Sequence, residues 1–305
     1  MFQITIAIPT HNRAEFLESC LESLLHQDIS LNNFAVMVID NASSDNTQEI
    51  IREFTGKFPI FTSYVAPVIG LSHAKNLAME KCETSWIGYL DDDGKARPNW
   101  VSEAFKIIQL DTCVCFGGYY YPWLKYGPLP KWVPENYGSN DQGQKEAGPL
   151  PAPFYPCGGN CFFRVDILRQ YGGFPANFGM SGKKIAYGEE TSLIHQMRED
   201  GQPIWCAPQV VMDHCVQKYK YSMLWNIKSV FFSARDYTRI VVCKNDKKFV
   251  YTLAKCCWHL IKIGQLSLKN LLLFIRVKPF EKACYMFFQS LAARLGDFTG
   301  TFLCK

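Results

Sequence analysis

Apolar segments alternate with amphipathic ones over the first hundred residues. Ile4–Ile8, Phe34–Ile39 and Trp86–Leu90 are short apolar runs that end in polar turn residues, a pattern typical of buried strands. Ala14–Gln27 and the segment around Ile51 have apolar residues at helical spacing. Strands that alternate with helices predict an α/β fold with a mostly parallel sheet flanked by helices.

Residues 117–157 interrupt this alternation, because they are rich in Pro, Gly, Tyr and Trp. We interpret them as a long loop, which in a compact domain is usually functional or mobile. Residues 158–215 return to an ordered pattern, with a late strand over Trp205–Met212 and a boundary near residue 220.

The end of the chain is a basic, amphipathic segment. Apolar residues recur at helical spacing from Phe249 to Leu273, and a basic residue recurs every seventh position, at Lys248, Lys255, Lys262, Lys269 and Arg276. On a helix these basic side chains form one stripe. Two interpretations stay open: peripheral contact of residues 245–280 with an anionic membrane, or a helix that packs on the protein with its charged face in water.

Charge separates the two parts of the 305-residue chain. The net charge is +4, yet residues 1–215 contain 16 Lys+Arg against 24 Asp+Glu, and residues 216–305 contain 16 against 4. This asymmetry indicates two parts with different partners. We therefore predict one domain over residues 1–220 and a basic helical extension over residues 221–305.

Cysteine usage and hydropathy suggest a compartment. The 13 cysteines are scattered and show no zinc-type spacing, so reduced thiols in a reducing compartment are expected. A strand pattern near the first residue and the lack of a long uninterrupted apolar run predict a cytoplasmic protein, with the basic segment allowing a peripheral position on the cytoplasmic face of a membrane. No nucleic-acid recognition motif accompanies the basic residues, so no nucleic-acid partner is expected.

Three consecutive aspartates, Asp91-Asp92-Asp93, follow the apolar run Trp86–Leu90 and precede a glycine. Residues two apart on a strand point to the same side, so Asp91 and Asp93 are expected to face one point and Asp92 the other side. Two converging carboxylates suit a divalent cation that prefers oxygen ligands. A polar turn without a ligand is the alternative interpretation of an isolated acidic triplet.

Further motifs occur in order around this triplet. They are Ile-Pro-Thr-His-Asn-Arg at residues 8–13, Asp40 at a strand end, Gly70 with Ala74-Lys75-Asn76, Gly158-Gly159-Asn160, Gly188-Glu189-Glu190 and His214. Over residues 3–220 the chain resembles glycosyltransferase family 2, whose GT-A fold has a Rossmann-like sheet. The resemblance implies a metal-dependent, inverting transfer of a sugar from a nucleotide-diphospho-sugar.

The resemblance assigns roles to individual residues. It implies that Pro9, Thr10, Asn12 and Arg13 border the nucleotide and that Asp40 accepts a hydrogen from its base. Lys75, where the family often has Arg, is expected to contact phosphate, although Lys lacks the bidentate fork of Arg. Asp91 and Asp93 are the expected ligands of Mg²⁺ or Mn²⁺ in this DXD motif, and Asp92 is a candidate contact for the donor sugar or ribose.

The catalytic acids are expected at Glu189 and Glu190. The family has Gly-Glu-Asp at this place, so Glu190 occupies the position of the base and departs from Asp by one methylene group. A helix start favours the ionised carboxylate that a base needs. Gly159 and Asn160 are expected near donor and acceptor sugars, and His214 near the metal or diphosphate. Ordinary helix-start acids and a structural histidine are the alternative interpretations.

We therefore predict a glycosyltransferase whose acceptor is a glycan or a lipid-linked sugar, in the synthesis of a cell-surface polysaccharide or glycolipid. Uridine diphosphate is the default donor nucleotide, because it is common in the family. Two other functions stay open. One is a sugar nucleotidyltransferase, although residues 9–13 lack the glycines of its phosphate loop. The other is a non-catalytic carbohydrate-binding or membrane scaffold protein of the same fold.

Overall fold

The computed structural model describes residues 4–182, 185–243 and 280–302. Its first half confirms the predicted alternation of strands and helices. The elements are β1 (Ile4–Thr10), α1 (Ala14–Leu25), β2 (Phe34–Asp40), α2 (Thr47–Phe54), β3 (Phe61–Val65), α3 (Leu71–Lys81) and β4 (Trp86–Leu90). The predicted basic stripe, from Lys248 to Arg276, lies outside the described residues.

The second half of the described chain adds five strands and five helices. They are β5 (Gly94–Ala96), α4 (Trp100–Leu110), β6 (Cys115–Trp123), β7 (Gly148–Pro149), β8 (Asn160–Arg164), α5 (Val165–Gln170), α6 (Glu189–Glu199), β9 (Ile204–Cys215), α7 (Met223–Cys243) and α8 (Phe280–Phe302). The predicted late strand over Trp205–Met212 is thus β9, which extends further in both directions.

The described strands form one mixed sheet in the order β3-β2-β1-β4-β8-β6-β9-β5, with β7 paired to β9. The pairs among β1 to β4 are parallel, and so is the pair of β6 and β9. Strand β8 runs antiparallel to both β4 and β6, and β5 runs antiparallel to β9. As a result, the carboxyl ends of β1, β2, β4 and β9 and the start of β8 all lie at one edge of the sheet.

Two apolar clusters cover the two faces of the sheet. One joins the alternate strand residues Ile4, Ile6 and Ile8 to α1, α2 and α4. The other joins the intervening strand residues, such as Ala7, to α3, α5 and α6. Because side chains alternate between the faces of a strand, a strand that is covered on both faces reads as a continuous apolar run. This explains the apolar segments of the sequence.

The predicted loop over residues 117–157 is wrong in its first part. Strand β6 runs to Trp123, so the three tyrosines at 119–121 lie in the sheet. A Cβ on Gly118 would lie 1.7 Å from the carbonyl oxygen of Val210, so only glycine admits the close approach of β9. Gly118, one of the glycines that suggested a loop, is therefore required by strand packing, and the aromatic residues supply strand propensity.

The described chain divides into two compact units, and the predicted domain boundary near residue 220 stays a prediction. Unit 1 contains residues 1–123, 138–177 and 189–215, and unit 2 contains residues 124–137, 178–188 and 216–305. Within unit 2, Trp132 and Val133 are buried against Tyr285 of α8, and the rings of Trp132 and Tyr285 are 4.7 Å apart. Packing of a tryptophan that is distant in sequence thus adds an early segment to the C-terminal unit.

The helices and the cysteines bear on the expected compartment. In the ranges that the structure describes, no helix combines the length and the apolar character that a bilayer crossing requires. The nine cysteines whose side chains are described are free thiols, seven of them buried.

Candidate active site

The sequence-predicted residues converge at the edge of the sheet described above. Thr10 and Asp40 face each other at the ends of β1 and β2. The acidic triplet follows β4, and the amide of Asp91 donates to the carbonyl of Gly159, just before β8. His214, near the end of β9, pairs with Gly94. Ligands of α/β sheets commonly bind beyond the carboxyl ends of the strands, so this edge is the candidate site.

Asp91, Asp93 and His214 form a cluster with the chemistry of a cation site. One ligand atom from each lies within 4.8 Å of the others, and His214 Nε2 is 3.2 Å from Oδ1 of Asp93. The turn is fixed because the amide of Gly94 donates to the carbonyl of Asp91, and the amide of Cys215 donates to that of Asp93. Two carboxylates and one imidazole fit a small divalent cation.

Arg13 contacts the same acids from the β1 side. Its guanidinium lies 2.9 Å from Oδ1 of Asp92 and 3.3 Å from Oδ2 of Asp93. Burial raises the pKa of Asp92 to about 6, and the charge of Arg13 opposes that rise. The sequence predicted that Asp91 and Asp93 face one side and Asp92 the other, and the structure agrees in part. Asp91 and Asp93 meet His214, whereas Asp92 and one oxygen of Asp93 face Arg13.

A second loop cluster surrounds Asp40. Its carboxylate is buried, and it accepts hydrogen bonds from the amide of Ser43 and from the side chain of Gln48. Asn12 has a left-handed backbone (φ 52°), and its side-chain oxygen accepts from the amide of Ser44. The loops after β1 and β2 are therefore tied together around Asp40. The bond between Asn12 and Ser44 was not predicted, because hydrogen bonds between loops leave no local sequence pattern.

Lys75 and Glu189 form a buried ion pair of 3.1 Å, with side chains 1% and 6% exposed. Burial would lower the pKa of Lys75, but Glu189 and Glu190 outweigh it and raise that pKa. For Glu189, burial acts to raise the pKa, and the charge of Lys75 outweighs it and lowers it. The sequence suggested a phosphate contact for Lys75, which stays a prediction, and it did not suggest this partner.

Glu190 follows on the first turn of α6 and has a different environment. Burial, and then the charge of Glu189, raise the pKa of Glu190 to about 8. Its Oε2 is shielded from solvent and has no hydrogen-bond partner among the described residues. A Cβ placed on Gly158 would lie 2.5 Å from Oε1 of Glu190, so the carboxylate rests against the glycine backbone.

The next glycine has the same relation to the metal-site acids. A Cβ on Gly159 would lie 2.0 Å from Oδ2 of Asp91. Glu190 and Asp91 therefore lie against two consecutive glycines, Gly158 and Gly159. The following side chain is structural: Asn160 is fully buried, donates to the carbonyls of Tyr119 and Val210, and accepts from the indole of Trp100. Its predicted contact with a sugar stays a prediction.

The mixed sheet flanked by helices has the architecture of the GT-A glycosyltransferases, and solved structures share this fold. The mannosyltransferase PcManGT from Pyrobaculum calidifontis, in complex with GDP-Man and Mn²⁺, has a TM-score of 0.62 and 17% identity, with 95% of this chain and 86% of that chain covered. Residues 1–349 of TarS from S. aureus, in complex with UDP-GlcNAc, have a TM-score of 0.59 and 13% identity, with 97% and 90% covered. At these identities the likeness establishes the fold.

Sequence comparison gives the family. The model of glycosyl transferase family 2 matches residues 5–172, more than half of the chain, and the chain belongs to this family. A chondroitin synthase from Pasteurella multocida (strain Pm70) is 30% identical over 113 residues, which are 37% of this chain and 12% of that protein. The chain spans between 12% and 35% of three such curated relatives.

Proposed function

We propose that this protein transfers a sugar from a nucleotide-diphospho-sugar to a hydroxyl group of a glycan or lipid-linked acceptor, with inversion at the anomeric carbon. The observation that carries the proposal is the placement of Asp91 and Glu190 against the consecutive glycines Gly158 and Gly159. A metal-site acid and a candidate base thus flank one short turn. Family membership and the nucleotide-sugar complexes of the two structural neighbours support the same reaction class.

The nucleotide is proposed to bind at the loops after β1 and β2. Pro9 and Thr10 end β1, Asn12 and Arg13 lie in the loop that follows it, and Asp40 is the proposed acceptor for a base N–H. The side-chain ties from Asn12 to the second loop hold both segments in place before a ligand arrives. Such preorganisation lowers the entropy cost of binding. UDP is the default nucleotide.

The diphosphate is proposed to lie beside Asp91, Asp93 and His214. The donor set fits Mg²⁺ or Mn²⁺, and a bound divalent cation would neutralise charge on the leaving diphosphate. Arg13 supplies a further positive charge at the same place, and Asp92 is the proposed contact for the ribose or the donor sugar. Gly159 is proposed to offer its backbone to the sugars, whereas the side-chain amide of Asn160 already donates to two carbonyls of the protein.

Glu190 is proposed to accept the proton of the attacking hydroxyl. The acceptor oxygen forms a bond to the anomeric carbon while the bond to the diphosphate oxygen breaks, and the diphosphate leaves with the electron pair. A pKa of about 8 means that roughly a tenth of Glu190 is ionised at pH 7, and that the ionised fraction is a stronger base than an ordinary carboxylate. The turnover rate should therefore rise with pH up to about 8.

The test is a panel of UDP- and GDP-sugars with Mn²⁺, in which nucleotide binding is followed by thermal shift and turnover by release of nucleoside diphosphate. Glu190→Gln should bind the nucleotide as the wild type does and lose turnover by at least a hundredfold. The matched control is Glu199→Gln at the exposed end of the same helix. Wild-type turnover in Glu190→Gln would show that Glu190 is not the base.

Two other outcomes would indicate the alternative functions. Conversion of a nucleoside triphosphate and a sugar phosphate would indicate a nucleotidyltransferase. Nucleotide binding without any turnover would indicate a non-catalytic protein.

We also propose that the protein works in the cytoplasm and contacts an anionic membrane through residues 245–280, where the acceptor of a cell-surface polysaccharide or glycolipid would be presented. The support is the sequence of the tail, with 16 Lys+Arg against 4 Asp+Glu after residue 215. Flotation on vesicles that contain anionic lipid measures the contact. Replacement of the five basic stripe residues by Gln should release the protein, and equal flotation of both forms would refute the electrostatic contact.

A further inference from the structure

We propose that Lys75 is a positioning residue, which binds Glu189 in a buried ion pair and thereby fixes Glu190 in the orientation of a base. The inference rests on the proposed function of Glu190, and it assigns Lys75 a role other than the phosphate contact that the sequence suggested. A positioning residue acts through another group and has no need to touch the donor.

An ion pair, an aromatic ring and a backbone hydrogen bond hold Lys75 in place. Its ammonium group is 3.1 Å from Oε1 of Glu189, and it lies 5.1 Å from the centroid of the Phe174 ring. The hydroxyl of Tyr89 donates to the backbone carbonyl of Lys75. The side chain is only 1% exposed. A cation held in this way has little freedom to turn toward a diphosphate that enters from solvent.

The geometry around Gly158 connects the ion pair to the proposed base. A Cβ built on that glycine would lie 2.5 Å from Oε1 of Glu190 and 3.0 Å from Nζ of Lys75. The carboxylate and the ammonium group therefore crowd the same point above the glycine. Glu190 retains one oxygen, Oε2, without a hydrogen bond to any residue of the described ranges. That oxygen is the available acceptor for a proton.

The charges around Glu190 explain why the pair affects proton transfer as well as position. Glu189 from the same helix raises the pKa of Glu190, and Lys75 from α3 lowers it. The thiols of Cys157 and Cys161 also face this cluster, and burial keeps them protonated because it raises the pKa of each. Asp91 acts on Lys75 and on Cys157 from the metal side. One buried cation is thus shared by the neighbouring carboxylates, and Glu189 is its hydrogen-bonded partner.

This arrangement predicts opposite effects for the two halves of the pair. Glu189→Gln removes a negative charge and leaves Lys75 facing Glu190, so the acid limb of the kcat/KM profile should move to lower pH. Lys75→Met removes the positive charge, so the limb should move to higher pH. Each shift should be on the order of one pH unit or more, because the charges are buried and close. A side chain with a merely structural role would not shift the two profiles in opposite directions.

Steady-state kinetics separate this role from a donor contact. Lys75→Met should lower kcat at pH 7 by roughly tenfold or more while the donor KM and the affinity for UDP with Mn²⁺ stay near the wild-type values. Lys75→Arg, which retains the charge, should restore part of kcat. A large rise in donor KM, with both pH profiles unmoved, would overturn the inference and return Lys75 to the phosphate site. Where Lys75→Met does not fold, the direction of the Glu189→Gln profile decides.

A measurement without turnover distinguishes this inference from the proposed function. The carboxyl carbon of Glu190 can be titrated by NMR in glutamate-labelled protein, with Glu190→Gln used to assign the signal. In the wild type it should titrate near the raised pKa, and in Glu189→Gln clearly below it. An unchanged titration refutes the role of the pair even where the enzyme is active. A shifted titration in a protein that transfers no sugar supports the pair and refutes the proposed function.

Discussion

Replacing Gly159 with alanine probes the crowded contact between the glycine turn and the metal-site acids. The new Cβ would lie 2.0 Å from Oδ2 and 2.2 Å from Cγ of Asp91, whereas ordinary contacts begin at 3.4 Å, so the carboxylate would have to move by about 1.4 Å. The side chain of Asp91 is 31% exposed and can rotate into solvent, so the fold should survive. Displacing a catalytic group by about 1 Å costs on the order of a hundredfold in rate.

The neighbouring substitution should have a different effect. In Gly158→Ala the Cβ would lie 2.5 Å from Oε1 of Glu190, so the displaced group is the proposed base. We expect Gly159→Ala to lose affinity for Mn²⁺ and turnover together. We expect Gly158→Ala to lose turnover while it retains its affinity for Mn²⁺. Two adjacent glycines would then separate the metal function from the proton-transfer function.

Gly148→Ala is the matched control, because its Cβ would meet only the flexible side chain of Gln144 at 3.6 Å. Calorimetric titration with Mn²⁺ in the presence of UDP gives the affinity, and release of UDP gives the turnover. Thermal unfolding checks that all three variants are folded. Wild-type Mn²⁺ affinity in Gly159→Ala, together with full turnover in both site variants, would show that the carboxylates do not depend on the space that the glycines leave.

Four further changes test other contacts. Asp93→Asn should abolish Mn²⁺ binding and transfer without unfolding the protein, and calorimetry that still detects a tight site would exclude Asp93 as a ligand. Asn160→Ala should lower the free energy of unfolding by about 1–3 kcal/mol for each polar group left unpaired, as measured in urea, and a change in donor KM alone would contradict its structural role. Arg13→Gln should raise the pKa of Asp92, because the opposing guanidinium is lost, and weaken UDP binding in a thermal-shift titration; unchanged binding would exclude Arg13 from the nucleotide site. Between its ordinary pKa of 4.5 and the raised value of about 8, Glu190 keeps a proton that the unfolded chain releases, so stability should fall as pH rises through this window, and Glu190→Gln should reduce that fall in a pH series of denaturant midpoints.

The first half of the fold could be predicted because its local and global signals agree. Each of the strands β1, β2 and β4 is covered on both faces, so each is a continuous apolar run bounded by turn residues. Strand β6 could not be predicted in the same way. Its glycines are typical of loops. The need for glycine at position 118 is the carbonyl of Val210, which takes the place of a side chain only after β9 has paired with β6.

The motifs of the candidate site could be predicted from the sequence, whereas their contacts could not. The acidic triplet, the glycine pair and the helix-start glutamates are short motifs that can be recognised in the sequence, and their roles stay predictions. The partners of those residues are separated by many positions, as in the contact of Lys75 with Glu189, which lie 114 residues apart. A lysine in a helix looks solvent-exposed in the sequence, and only tertiary packing reveals that it is buried with a carboxylate.

The contact of Trp132 with Tyr285 has a consequence for how the chain is made. The two residues belong to the same unit but are separated by about 150 positions, and unit 2 also contains residues 178–188. At a translation rate of about 5–20 residues per second, Trp132 is synthesised roughly 8–30 s before its partner. During that interval the tryptophan and its neighbours have no packing partner from α8, so nascent chains should depend on a chaperone, or on slow translation of the last segment, more than the size of the protein suggests.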